Sequence, residues 1–407
     1  MFKKFANSLK TNPLEYFLAF FCLAVFVLET INQRLWMNDF KVYWSASQHL
    51  LNNGQVYGQA FGLDSGFFKY SPVVALLFVP FGLLPFAVAK SIYYVLSAVA
   101  TVMLFNKLRQ LDFFKNADFS AKTNAWILFI VLVLNVPQLF RELHLGNANM
   151  ILLLVNILAM LASSRKAATG GFLIGLSILF KPHFVLILPL LFLRKRRKSL
   201  WAVLSTVLLG LFLPIFVAGW QGNLNLLANW GRSISEHNSS LNSAKDNLAF
   251  IVFNLLGQQS PKIYFWFELF VILVLALLVF MVIVKHWQSE KRHSKITVKR
   301  HFQSEYLLLL AIIPSMFITD TEHFLLSIPL ICLMIFKAWG ILSQTAIAEL
   351  SNKQKSYLGW LGLALGLFFI SDFVASNSML GIGNALLIGL FGVSELLEKK
   401  ETIITTK

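Results

Sequence analysis

Asp39 is the acidic residue whose position most suggests chemistry. It follows the first long apolar run, residues 14–31, and stands near the start of a segment, Asn38 to Leu51, in which Phe40, Tyr43, Trp44, Ser47, Leu50 and Leu51 recur at three- and four-residue spacing. That is the period of a helix with one apolar face, here a helix lying along a membrane interface and ending in a left-handed cap at Asn52-Asn53-Gly54. A carboxylate held where an apolar run meets water can take the proton from a hydroxyl that is becoming a nucleophile. A simpler duty fits the same place: Asp39, or Asn38 before it, can cap the helix by accepting a backbone N–H bond, and the two roles are compatible. Tyr43 lies four residues on, along the same face, where it can pack or orient a polar substrate.

A second set is cationic. Arg141, His144, Lys181, His183 and His323 fall at the ends of different apolar runs. A single Lys or Arg at such an end ordinarily reaches along the apolar surface to water; several on one face could instead meet an anionic headgroup. Lys181 is the strongest of them, because it stands between two short apolar runs with Pro182 directly after it, where a charge is costly unless a phosphate or carboxylate pairs with it. No segment matches a P-loop or a dinucleotide fingerprint, and Glu322-His323 and Arg141-Glu142-Leu143-His144 lack the partner ligands of a metal motif. Neither a metal nor a cofactor is expected. Cys22 and Cys332 lie in apolar runs and are poor candidates for a disulfide.

The elements that must position these residues are membrane helices. In 407 residues, 57% are apolar and only 13% charged, against about 25% charged in soluble chains. The apolar runs approach the ~20 residues a helix needs to cross hydrocarbon and do not alternate as barrel strands would. The reading is an all-α polytopic membrane protein, one integral membrane domain over 1–407. Its twelve candidate spans are 14–31, 87–105, 124–140, 148–162, 169–180, 183–193, 200–218, 263–284, 304–319, 322–336, 357–372 and 379–394. The net charge of +16 is read as topology rather than as nucleic-acid binding: with both termini cytoplasmic, most basic residues fall in inside loops. Lys3-Lys4 and the run after them lack a cleavage site, so the first run is expected to stay as a helix. Two extracytoplasmic loops are long, 32–86 and 219–262, and 73–84 reads as a second interfacial or re-entrant helix, too short to cross. The stretch 285–303 reads as a basic cytoplasmic loop.

Several of these segments, taken in order, resemble glycosyltransferase family 87. Asn38-Asp39-Phe40-Lys41-Val42-Tyr43, Gly54-Gln55-Val56-Tyr57 and Phe68-Lys69-Tyr70-Ser71-Pro72 are similar to that family's first outer loop. Gly146-Asn147-Ala148-Asn149 is similar to its Gly-Gln-x-Asn motif, with Asn147 in place of Gln. Gly171 to Gly175 and on to Lys181-Pro182 looks like its Gly-rich helix, and Glu322-His323-Phe324 looks like its late His motif.

The resemblance implies a GT-C-like helical bundle in the cell membrane. It implies a polyprenyl-phosphate hexose, mannose foremost, as donor substrate and a lipid or glycan hydroxyl as acceptor at the extracytoplasmic face. Transfer would be inverting with Asp39 as the base; Lys181, His323, Arg141 and His144 would hold the donor phosphate, and Tyr43 would orient the acceptor. Two other functions suit the same helices: a transporter or flippase of a lipid-linked sugar, and an envelope polysaccharide polymerase or ligase.

Overall fold

A computed structural model describes residues 13–52, 54–62, 66–115, 119–163, 166–239, 261–290, 295–315, 320–371 and 379–397. Regular structure among them is helical, apart from one isolated antiparallel bridge between Ala60 and Phe67. The chain forms two compact units, residues 1–243 and 244–407. In the first, the helices of ten or more residues are Pro13–Ile31 (α1), Asn38–Leu51 (α2), Phe86–Leu108 (α3), Ala121–Leu134 (α4), Val136–Leu145 (α5), Asn149–Ala162 (α6), Ala167–Phe180 (α7), Arg197–Phe212 (α8) and Ile215–Ser239 (α9). In the second they are Pro261–Glu290 (α10), Lys295–Ile312 (α11), Ile328–Gln344 (α12), Asn352–Ile370 (α13) and Met379–Leu397 (α14).

Among the described residues, five helical segments are long and apolar enough to cross a bilayer: Pro13–Ile31, Phe86–Leu108, Leu269–Glu290, Thr321–Gln344 and Met379–Leu397. The number rises to seven if two bent pairs each count as one span. The protein is therefore a polytopic helical membrane protein, and its surface agrees: α1 leaves Phe20, Leu23, Leu28 and Ile31 more than half exposed, as suits side chains whose solvent is lipid. The bends have local causes. Helix α4 gives way to α5 at 62° where Pro137 sits at the start of the new helix, and α8 gives way to α9 at 90° across Pro214; proline supplies no amide to the preceding turn. The expected spans 124–140 and 200–218 are thus bent helix pairs.

Loop 32–86 is folded. α2 spans the residues its periodicity predicts, but its end differs: Asn52 has φ −94° and donates its N–H to Gln48 O, and Gly54 N–H reaches His49 O at 2.7 Å. These backbone bonds close the helix with neither Asn52 nor Gly54 left-handed; Asn53 lies outside the described residues. The expected 73–84 helix is two short ones, Pro72–Leu77 and Val79–Gly82. The start of α2 is pinned to the end of α5. Met37, left-handed at φ 50° and fully buried, donates its N–H to His144 O at 3.1 Å. Gly146, at φ +67°, ends α5 so close to α2 that a Cβ there would lie 2.8 Å from Met37 Cε and 2.9 Å from Phe40 Cβ. Gly146→Ala is therefore expected to lower stability by about 1–3 kcal/mol through backbone strain and overpacking, seen as earlier thermal unfolding in detergent. An unchanged midpoint would count against this junction.

Helices α7 and α8 pack at backbone contact, since a Cβ on Gly171 would come 2.2 Å from Ser199 O; small residues permit such approach between membrane helices. That contact fixes the path of α7 up to its last residue, Phe180, and so the place of Lys181. In the second unit, 285–303 departs from the expected loop. Lys285, His286 and Glu290 belong to α10, His301 to α11, and His286 is 3% exposed, with its two ring nitrogens 2.8 Å from Glu305 Oε1 and Glu395 Oε2. The partner carboxylates come from α11 and α14, 19 and 109 positions from His286, outside the one or two helical turns over which local charge can be read.

Candidate active site

Asp39 occupies the first turn of α2 and is half-buried. It does not serve as the N-cap: Met37 holds that position, with no side-chain capping bond. Its Oδ2 instead accepts a 2.8 Å hydrogen bond from Asn147 Nδ2. Asn147 belongs to the turn between α5 and α6 and is 4% exposed. Its Oδ1 gathers donors only: Ala148 N–H at 2.7 Å, Lys181 Nζ at 3.4 Å and Tyr43 OH at 3.5 Å. Tyr93 OH, from α3, donates to the Asn147 backbone oxygen at 3.3 Å.

Lys181 follows the last residue of α7, where Pro182 stops the α-helix and a 3-10 turn, Pro182–Leu186, takes over. The broken path turns its amine inward. Lys181 is 5% exposed, and its amine donates to Asn149 Oδ1 at 2.6 Å. Asn149 Nδ2 donates to Glu142 Oε2 at 3.0 Å, and Glu142 Oε1 accepts the Met150 N–H at 2.9 Å. Glu142 and Asn149 are fully buried. A lysine and a carboxylate withdrawn from water together are a tolerable burial of charge only as a hydrogen-bonded set.

Tyr43 is fully buried. Its hydroxyl lies 2.9 Å from that of Tyr70, and its ring meets those of Tyr70, Phe78 and Phe180. Burial first, then the neighbouring Tyr70, pushes the Tyr43 phenol well above its ordinary pKa, so it stays a donor. His144 Nδ1 pairs with Glu29 Oε2 at 2.5 Å, and its ring stacks on Phe140. Arg141 is exposed on α5. His323 lies in the second unit, where its Nδ1 accepts the backbone N–H of Asp320 at 3.2 Å, so that the ring and Asp320 cap one 3-10 turn.

Sequence reasoning thus missed Glu142, Asn147, Asn149 and Tyr93 as members of the site. A signal was present for the first three: one acidic residue followed within seven positions by two Asn, between a bent helix pair and an apolar run. Beside the site, Asn38 and Lys41 of α2 line an open cleft of about 260 Å³ with Trp36, Phe86 and Lys90. It combines cationic and aromatic walls.

Comparison with known proteins bears on this arrangement. The profile of glycosyltransferase family 87 matches residues 67–298, which includes Glu142, Asn147, Asn149 and Lys181 and begins after Asp39. An alpha-(1->3)-arabinofuranosyltransferase of Corynebacterium glutamicum is 29% identical over 180 residues, 44% of this chain and 40% of that relative. The chain thus aligns with about two fifths of the relative's length. No solved structure matches the chain.

Proposed function

The chain belongs to glycosyltransferase family 87, and from that premise we propose that it transfers a hexose, mannose foremost, from a polyprenyl-phosphate donor to a hydroxyl of a lipid or glycan acceptor. The observation that carries the reading is Asp39, a half-buried carboxylate at the start of a helix, aimed by the Asn147 amide at 2.8 Å. In the proposed step the acceptor oxygen forms a bond to the anomeric carbon as the bond from that carbon to the phosphate oxygen breaks. The hydroxyl proton passes to Asp39, and the electron pair leaves with the polyprenyl phosphate. A phosphate leaves as a stable anion, so one carboxylate suffices and the anomeric centre inverts. Arg141, exposed on α5, and His144 are assigned to the donor phosphate.

The cleft at the start of α2 suits an amphiphilic substrate. Lys41→Ala is expected to raise the donor KM by about 3–10-fold with little change in kcat, since it removes binding common to ground and transition state. Equal kcat and KM to the parent would remove Lys41 from the donor path. The orientation we propose, both termini cytoplasmic and Asp39 outside, places a C-terminal reporter that is active only in the cytoplasm in its active state.

The test of the function is incubation of the purified protein with labelled polyprenyl-phosphate mannose, glucose or arabinose and a membrane lipid extract. Label in a new glycolipid or glycan is the expected result. The arabinose arm matters because the relative's name specifies that sugar, and transfer from it alone would correct the hexose assignment. Transfer from none would favour transport of a lipid-linked sugar. Competition by a diphosphate lipid donor would favour a polymerase or ligase.

A further inference from the structure

The buried residues behind Asp39 form one continuous path, and its order is dictated by donor and acceptor chemistry. An ammonium group can only donate. Lys181 Nζ donates to Asn149 Oδ1 at 2.6 Å and to Asn147 Oδ1 at 3.4 Å, so both amides must present their oxygens to it and their NH₂ groups away from it. Asn149 then turns its NH₂ to Glu142 and Asn147 turns its NH₂ to Asp39, at 3.0 and 2.8 Å. The Ala148 N–H on Asn147 Oδ1 independently forbids the flipped amide.

We propose that Lys181, Asn149 and Glu142 are positioning residues: a buried relay, anchored on the Glu142 carboxylate, that sets the orientation of the Asn147 amide and through it the carboxylate of Asp39. Lys181 acts here through Asn147 and does not touch the donor. Glu142 supplies the counter-charge that keeps the ammonium buried, and Met150 N–H holds Glu142 at the start of α6. Tyr43 and Tyr93 brace Asn147 from α2 and α3. The inference rests on Asp39 as the base. It adds that the rate depends on four side chains that never meet substrate.

The test separates positioning from charge balance. Lys181→Met alone strands Glu142 and destabilises the protein, so the informative variant is the doubly neutral Glu142→Gln/Lys181→Met, with Asn147→Leu beside it. The double variant should unfold close to the parent temperature yet keep a kcat lowered by about 10–100-fold, the scale of a misplaced reacting group. Asn147→Leu should lower kcat similarly, with donor KM within about twofold of the parent. A double variant with parental kcat would overturn the proposal, leaving only charge balance. A raised donor KM at unchanged kcat in Asn147→Leu would also overturn it, placing these residues on the donor.

Isotope-edited infrared spectra of protein with ¹³C-labelled aspartate read the same relay without turnover. The band that Asp39→Asn removes should shift in the double variant and in Asn147→Leu, and an unmoved band overturns the proposal even in a preparation showing no transfer. Absence of transfer by the parent protein would instead count against the proposed reaction alone.

Discussion

Asp39→Asn is expected to lower sugar transfer by about 10²–10⁴-fold, the contribution a positioned general base makes, with the fold intact. The side chain keeps its shape, and its Oδ can still accept from Asn147 Nδ2, the bond that holds Asp39 now at 2.8 Å. Lost is the capacity to receive the acceptor's proton. Such a loss belongs to the transition state, so kcat and kcat/KM should fall together. Thermal unfolding of the variant should match the parent, since the residue is half-buried and no side chain caps α2. A variant that retains a tenth or more of the parental rate would show that another group takes the proton.

His286→Ala should have the largest effect on stability. The ring stands between Glu305, which is fully buried, and Glu395 at 7% exposed, 2.8 Å from each. Two carboxylates at that distance call for two N–H donors. Lys337 of α12 also bonds Glu395, and His301 stacks on His286 with ring centroids 4.0 Å apart. The cluster therefore ties α10, α11, α12 and α14 together. Removing the imidazole leaves Glu305 buried without this partner, which costs about 3–5 kcal/mol for a broken buried pair. Thermal unfolding in detergent should begin well below the parent temperature. His286→Leu/Glu305→Leu, which removes both groups and fills the space, should recover much of the loss. A parental midpoint for His286→Ala would mean that the cluster is solvated and adds little.

The sequence was most legible where structure is local. The three- and four-residue spacing from Phe40 to Leu51 marks α2, and Lys181-Pro182 marks the break after α7. Each is decided by residues within one or two turns of each other. Asp39 is singled out by the same means, from its place beside the first apolar run. What the sequence withheld is long-range pairing. Asn147 meets Asp39 across 108 positions and Glu395 meets His286 across 109, so no window of composition or period contains both partners. The role expected of Lys181 differs from the one its surroundings favour for this reason: a charge between apolar runs demands a partner, but whether that partner is a ligand or a buried amide and carboxylate depends on helices far along the chain. Tyr43 is a similar case. Its spacing puts it on the face of Asp39, and there its ring packs against Tyr70, Phe78 and Phe180, partners that lie far along the chain.

The proposed transfer is a single displacement assisted by one carboxylate. The measurement that reads this most directly is the anomeric configuration of the transferred sugar, by one-bond carbon–proton coupling in product made from donor labelled with ¹³C at the anomeric carbon. Inversion relative to the donor is the predicted result, with product formation lost in Asp39→Asn. Retained configuration would require a covalent or otherwise shielded intermediate and would contradict the role assigned to Asp39.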